Sequence, residues 1–90
     1  MAIEFDPAKR EAVLRERGLD MARAEEIFRA GHLTVQDSRK DYGEVRNITI
    51  EFLAGRMVVM VWTPRGRATR IISLGKANER EQAFYAPRFR

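Results

Sequence analysis

The 90-residue sequence contains no cysteine, which excludes a disulfide framework and any thiolate metal site. It has one histidine, His32, and its acidic residues (Glu25, Glu26, Asp37, Asp41, Glu44) show no metal-ligand spacing. No metal and no cofactor are therefore expected. The six glycines form no phosphate-binding loop. The longest apolar run, residues 57–62, is about a third of the length that crosses a bilayer. The opening MAIEFDPAKR lacks the apolar stretch of a signal peptide. A single soluble, intracellular domain spanning residues 1–90, with room for one modest core, is the expectation.

Charge is abundant and unevenly placed. From Arg56 to the end there are eight basic residues against two acidic ones, a balance of +6. Residues 1–44 carry eight basic and ten acidic residues, a balance of −2. The basicity belongs to the C-terminal half, and a polyanion is the partner it points to. A solvated arginine face that only aids solubility is the alternative.

Residues 57–63 are nearly all apolar without alternation, as in a strand covered on both faces and central in its sheet. Pro64-Arg65-Gly66-Arg67 is a turn and residues 68–74 a second strand. A helix is predicted from about Gly75 to Tyr85, stopped by Pro87. Upstream, residues 2–5 suit a short edge strand. Asp6-Pro7 starts a helix that ends at Arg17, with Gly18 as its left-handed cap. Asp20 caps a second helix with Met21, Ala24, Ile27 and Phe28 on one stripe, stopped by Gly31. Residues 33–36 form a weak strand and residues 37–44 a polar turn region. In residues 45–53, Ile48, Ile50 and Phe52 face inward and Asn47, Thr49 and Glu51 face water. The predicted fold is α+β: an N-terminal α-hairpin packed on a curved antiparallel sheet of three to five strands, followed by a C-terminal helix.

Phe5-Asp6-Pro7-Ala8-Lys9, Gly18 to Phe28, Asp41 to Arg46, Gly55-Arg56, Val59 to Thr63, Arg65-Gly66, Arg70-Ile71-Ile72-Ser73, Lys76-Ala77-Asn78, Arg80-Glu81 and Tyr85 together resemble one family. It is that of the BrnT ribonuclease toxins, partners of BrnA antitoxins in bacterial toxin–antitoxin operons. The resemblance implies a fold like those of the RelE and ParE toxins. It also implies an RNA substrate, a BrnA-like antitoxin joined in a heterotetramer, DNA contact only through that antitoxin, and a bacterial cytoplasmic location without membrane association. Two positions depart from the family pattern. Lys-His-Gly is usual at the end of the first helix, where this chain has Glu16-Arg17-Gly18. Ser-Ala-Arg-Lys-Ala is usual after the last strand, where it has Ser73-Leu74-Gly75-Lys76-Ala77.

Metal-free RNA cleavage needs a base for the 2′-hydroxyl, an acid for the leaving 5′-oxygen, and cations for the dianionic transition state. Arg65, Arg67, Arg70, Lys76 and Arg80 are the candidates for the cations, with the exposed N–H groups of a helix starting at Gly75 as a further anion grip. Glu81 and Tyr85 lie four apart on one helix and are the candidates for proton transfer; Glu81 also suits a salt bridge to Arg80 or Lys76. His32 is either a proton carrier or a capping residue. Tyr42 is either a base-stacking ring or a loop anchor, Trp62 reads as core, and Arg56 is a weaker cation candidate. A non-catalytic subunit that grips RNA or a partner through the same surface is the competing function.

Overall fold

The computed structural model describes residues 2–30 and 33–89. Its sheet has five strands: β1 (Ala2–Glu4), β2 (Leu33–Gln36), β3 (Asn47–Leu53), β4 (Arg56–Arg65) and β5 (Ala68–Lys76), in the spatial order β1-β5-β4-β3-β2. Helices α1 (Pro7–Arg17) and α2 (Ala24–Arg29) lie on one face. Helix α3 (Glu79–Tyr85) and a 3-10 turn, Ala86–Phe89, lie on the other. His32 and Gly31 fall outside the described residues.

The central hairpins follow from their turns. Ala54 and Gly55 both have positive φ (53° and 79°), which matches the twist of the strands they join, Leu53 pairing with Arg56. Gly66 (φ 61°) starts the second two-residue turn, Arg65 pairing with Ala68. Pro64 and Arg65 thus belong to β4 rather than to the turn. β4 is central, as its unbroken apolar run predicts. The sheet is not antiparallel throughout, because β1 pairs parallel with β5, Ala2 opposite Ala68. The chain crosses from β1 through both helices and three strands before β5 reaches that edge.

Asp6 caps α1 by accepting the Ala8 N–H at 3.0 Å, and Gly18 (φ 69°) closes the helix. Val13 is its one fully buried residue, so α1 covers the core more than it builds it. Asp20 accepts the Ala22 N–H at 2.9 Å, but the first turn after it, Met21–Arg23, is 3-10 rather than α. Met21, Ala24 and Ile27 then meet Val58, Met60, Ile71 and Leu74 of the sheet. Burying each of these side chains other than Ala24 contributes roughly 1.5–3 kcal/mol.

β3 departs from expectation. Thr49 and Glu51, placed toward water by alternation, are 0% and 6% exposed, because α2 lies over that face. Thr49 Oγ1 takes the Trp62 indole N–H at 2.7 Å and contacts the Thr34 hydroxyl at 2.8 Å. Glu51 Oε1 accepts the Phe52 N–H at 2.8 Å. Phe52, expected inside, is 46% exposed and meets Phe89 edge to face at 5.5 Å. Thr49 is satisfied by these local bonds, whereas Glu51 Oε2 is buried without a hydrogen-bond partner among the described residues.

A bulge in β5 sets up the second face. Val61 pairs with Ser73 while Trp62 pairs with Ile71, so Ile72 is the extra residue. Strict alternation puts residues three apart on opposite faces. Here Ile71 and Leu74 both enter the helix-side core, and Ser73 and Gly75 face the other way. Among the described residues, no helix is long and apolar enough to cross a membrane.

Candidate functional site

A cleft of about 430 Å³ opens on the sheet face opposite α1 and α2. Ile48, Val59, Val61 and Ser73 form its floor, and Glu81 and Tyr85 of α3 one wall. Residues 36–39, at the end of β2 and in the loop after it, form the other wall, and Arg17, Gly75 and Lys76 stand at one end.

The local sequence explains the α3 wall. β5 continues through Lys76, so the predicted helix start at Gly75 is corrected: Gly75 is a strand residue opposite Val59. The chain breaks at buried Ala77, and Asn78 caps a helix of seven residues. Asn78 Oδ1 accepts the Glu81 N–H at 2.8 Å, and Glu81 Oε1 accepts the Asn78 N–H at 2.9 Å, a reciprocal capping box. The anion grip expected from helix N–H groups at Gly75 is therefore absent. Glu81 makes this cap rather than a salt bridge to Arg80 or Lys76. Tyr85 packs against the cluster of Ile48, Ile50, Met57 and Ala77, its ring 5.0 Å from Phe84.

The opposite wall is held by Asp37, whose side chain is almost fully buried. Its two oxygens take Arg39 Nε and Nη2, both at 2.8 Å, and its Oδ2 takes the Tyr42 hydroxyl at 3.1 Å. The Arg39 guanidinium holds the Asp37 carboxyl far below the usual carboxylate range. Arg46 (4.1 Å) and Lys40 (5.1 Å) stand over the Tyr42 ring. Tyr42 is thus engaged as a loop anchor. Trp62 packs at 5.3 Å on Phe28, within the helix-side core.

Of the residues given a site role by sequence, Gly75, Lys76, Glu81 and Tyr85 come together at this cleft. The others do not. Arg70 lies toward the β1 end of β5, 3.6 Å from Glu4. Arg65 is 3.6 Å from Glu44. Arg67 is exposed in the β4–β5 turn, Arg80 is exposed on α3, and Arg56 starts β4. Sequence reasoning gave no site role to Ser73 or Arg39 and marked Arg17 only as a departure from the family. No periodicity marks them, since they come from three separate elements. Among the described residues, no group of three or more His, Asp or Glu side chains is gathered as a metal site.

The fold and cleft define a small α+β protein with lysine, carboxylate and phenol side chains on one open sheet face. The family model for "Ribonuclease toxin, BrnT, of type II toxin-antitoxin system" matches residues 5–81. The chain therefore belongs to the BrnT family of ribonuclease toxins of type II toxin–antitoxin systems, and its partner class is an antitoxin. The crystal structure of the Brucella abortus ribonuclease toxin BrnT is similar, with a TM-score of 0.69 and 25% identity, covering 88% of this chain and 99% of that one. No curated protein sequence matches the chain.

Proposed function

We propose that the chain cleaves RNA without a metal, at the cleft between α3 and residues 36–39. The observation that carries this is the gathering of Lys76, Glu81 and Tyr85 on one cleft in a BrnT-family chain. The 2′-oxygen of the substrate attacks the adjacent phosphorus as the Glu81 carboxylate takes its proton. The P–O5′ bond breaks, and the Tyr85 phenol gives its proton to the departing 5′-oxygen. The products are a 2′,3′-cyclic phosphate and a free 5′-hydroxyl. Lys76 offsets the charge on the phosphorane, the form of stabilisation that contributes most in such sites. Arg67 and Arg80, exposed and without a carboxylate partner among the described residues, suit flanking phosphates; Arg65 and Arg70 reach them only by leaving Glu44 and Glu4.

A BrnA-like antitoxin covers this cleft in a cytoplasmic heterotetramer and supplies the DNA contacts, with residues 1–90 acting as one domain. Helices on one sheet face and a short helix on the other support kinship with the RelE and ParE toxins. The second reading, a binder that does not cut, is favoured by one observation: Glu81 Oε1 is engaged in the α3 cap.

Purified chain, incubated with labelled RNA in EDTA, tests the two. Cleavage is expected, with Glu81→Gln and Lys76→Ala each lowering the rate by about 10²-fold or more, as for loss of a proton acceptor or a charge-stabilising group. RNA retention without cleavage by the wild type establishes the binder instead.

A further inference from the structure

Gly75 is unlike the other described glycines. Gly18, Gly43, Gly55 and Gly66 all have positive φ, which accounts for the residue type at each. Gly75 lies in extended β5, where any residue is allowed. A side chain here would press on Arg17 instead. A Cβ at position 75 meets one group within 4 Å, the Arg17 guanidinium, at 3.3 Å from Nη1. Arg17 is the last residue of α1, on the far side of the sheet. It reaches round the edge of β5 beyond the last β1 pair, Glu4 with Arg70, and its Nη1 donates to the Leu74 carbonyl at 2.8 Å.

That bond fixes the guanidinium at the cleft's end beside Lys76. A guanidinium has five N–H donors, so one bond to a carbonyl leaves most of the fork for an anion. Arg39, also at the cleft, is neutralised by Asp37, whereas Arg17 and Lys76 have no carboxylate partner among the described residues. We propose that Arg17 binds an RNA phosphate in this cleft and that Gly75 is the opening that admits it. The inference rests on the reading of the cleft as the RNA site. It adds a cation from α1 to residues drawn from β5 and α3.

The test measures binding of a single-stranded 2′-O-methyl RNA, which lacks the attacking hydroxyl, by the full chain at several salt concentrations. Arg17→Ala is expected to weaken binding about tenfold, the scale of one charge-assisted contact. It should flatten the slope of log K against log salt by about 0.7, the value for one phosphate on a single strand. Gly75→Val suits a strand but crowds the guanidinium, and should reproduce that loss with the melting temperature maintained. Arg17→Lys should keep the slope while losing affinity. If Lys76→Ala lowers both affinity and slope but Arg17→Ala leaves the slope unchanged, Arg17 is only a structural tie to β5 and the inference falls while the RNA cleft stands. If neither variant changes the slope, the RNA cleft itself is overturned, and Arg17 with it.

Discussion

Asp20 shows how a single carboxylate ties the N-terminal helices together. It caps the turn that starts at Met21 and receives Arg10 of α1 through both oxygens, at 2.7 and 2.9 Å. The hydrogen-bonded Arg10 guanidinium lowers its pKa from 3.8 to about 2. A carboxyl depressed on folding adds stability that is complete above the unfolded value and is lost as pH falls through the folded one. The Asp20 contribution should therefore hold at neutral pH and disappear between about pH 4 and pH 2. Asp37, lowered further by Arg39, fades at still lower pH. Asp20→Asn should cost about 1 kcal/mol at neutral pH, allowing for solvent screening of a partly exposed pair, and should flatten the acid limb of a urea-denaturation series. An unchanged acid limb would remove Asp20 from the account.

Residue types alone pointed to the groups that line the candidate cleft better than to their arrangement. Lys76, Glu81 and Tyr85 were legible because they follow one another on a strand end and a short helix. Arg65 and Arg70 share their charge and their stretch of sequence, yet each meets a carboxylate from a distant segment, Glu44 or Glu4. Pairing across such separations leaves no trace in local pattern. Arg17 and Gly75 read as two separate departures from the family, 58 positions apart, and are in fact neighbours.

At the scale of elements, caps and turns carried most of the legible signal. Asp6, Gly18, Asp20, Ala54-Gly55 and Gly66 each define a boundary through their own torsion or side-chain acceptor. The Ile72 bulge did not show itself, because two adjacent isoleucines suit a regular strand equally well. Nor did the burial of Thr49 and Glu51, which depends on where α2 lands. Asn78 is the cap most directly tied to the proposed chemistry, since its reciprocal bonds with Glu81 hold both α3 and the Glu81 carboxylate. Asn78→Ala should cost about 1 kcal/mol of stability. It should also lower RNA cleavage by more than the change in folded fraction explains, whereas Asn78→Asp, which keeps the acceptor, should retain both. Melting temperature and single-turnover cleavage measured on the same samples decide the matter.

Across the whole molecule, the sheet separates two surfaces of different use. One is sealed by α1 and α2 around the larger core. The other is only partly covered by α3 and the turn after it, and the cleft lies in what remains. The antitoxin, if it neutralises by covering this cleft, must exclude the substrate. Bound 2′-O-methyl RNA should then be released in proportion to added antitoxin, followed by fluorescence anisotropy. Simultaneous binding of both would move the antitoxin to another surface.

The parallel pairing of β1 with β5 ties the earliest part of the chain to a strand that ends only at Lys76. The first strand has no partner until β5 is present, and contacts so distant in sequence form slowly. A chain interrupted before residue 68 lacks both the closing strand and α3. The cleft, built from the end of β5 and from α3, is therefore completed only once that distant pairing can form.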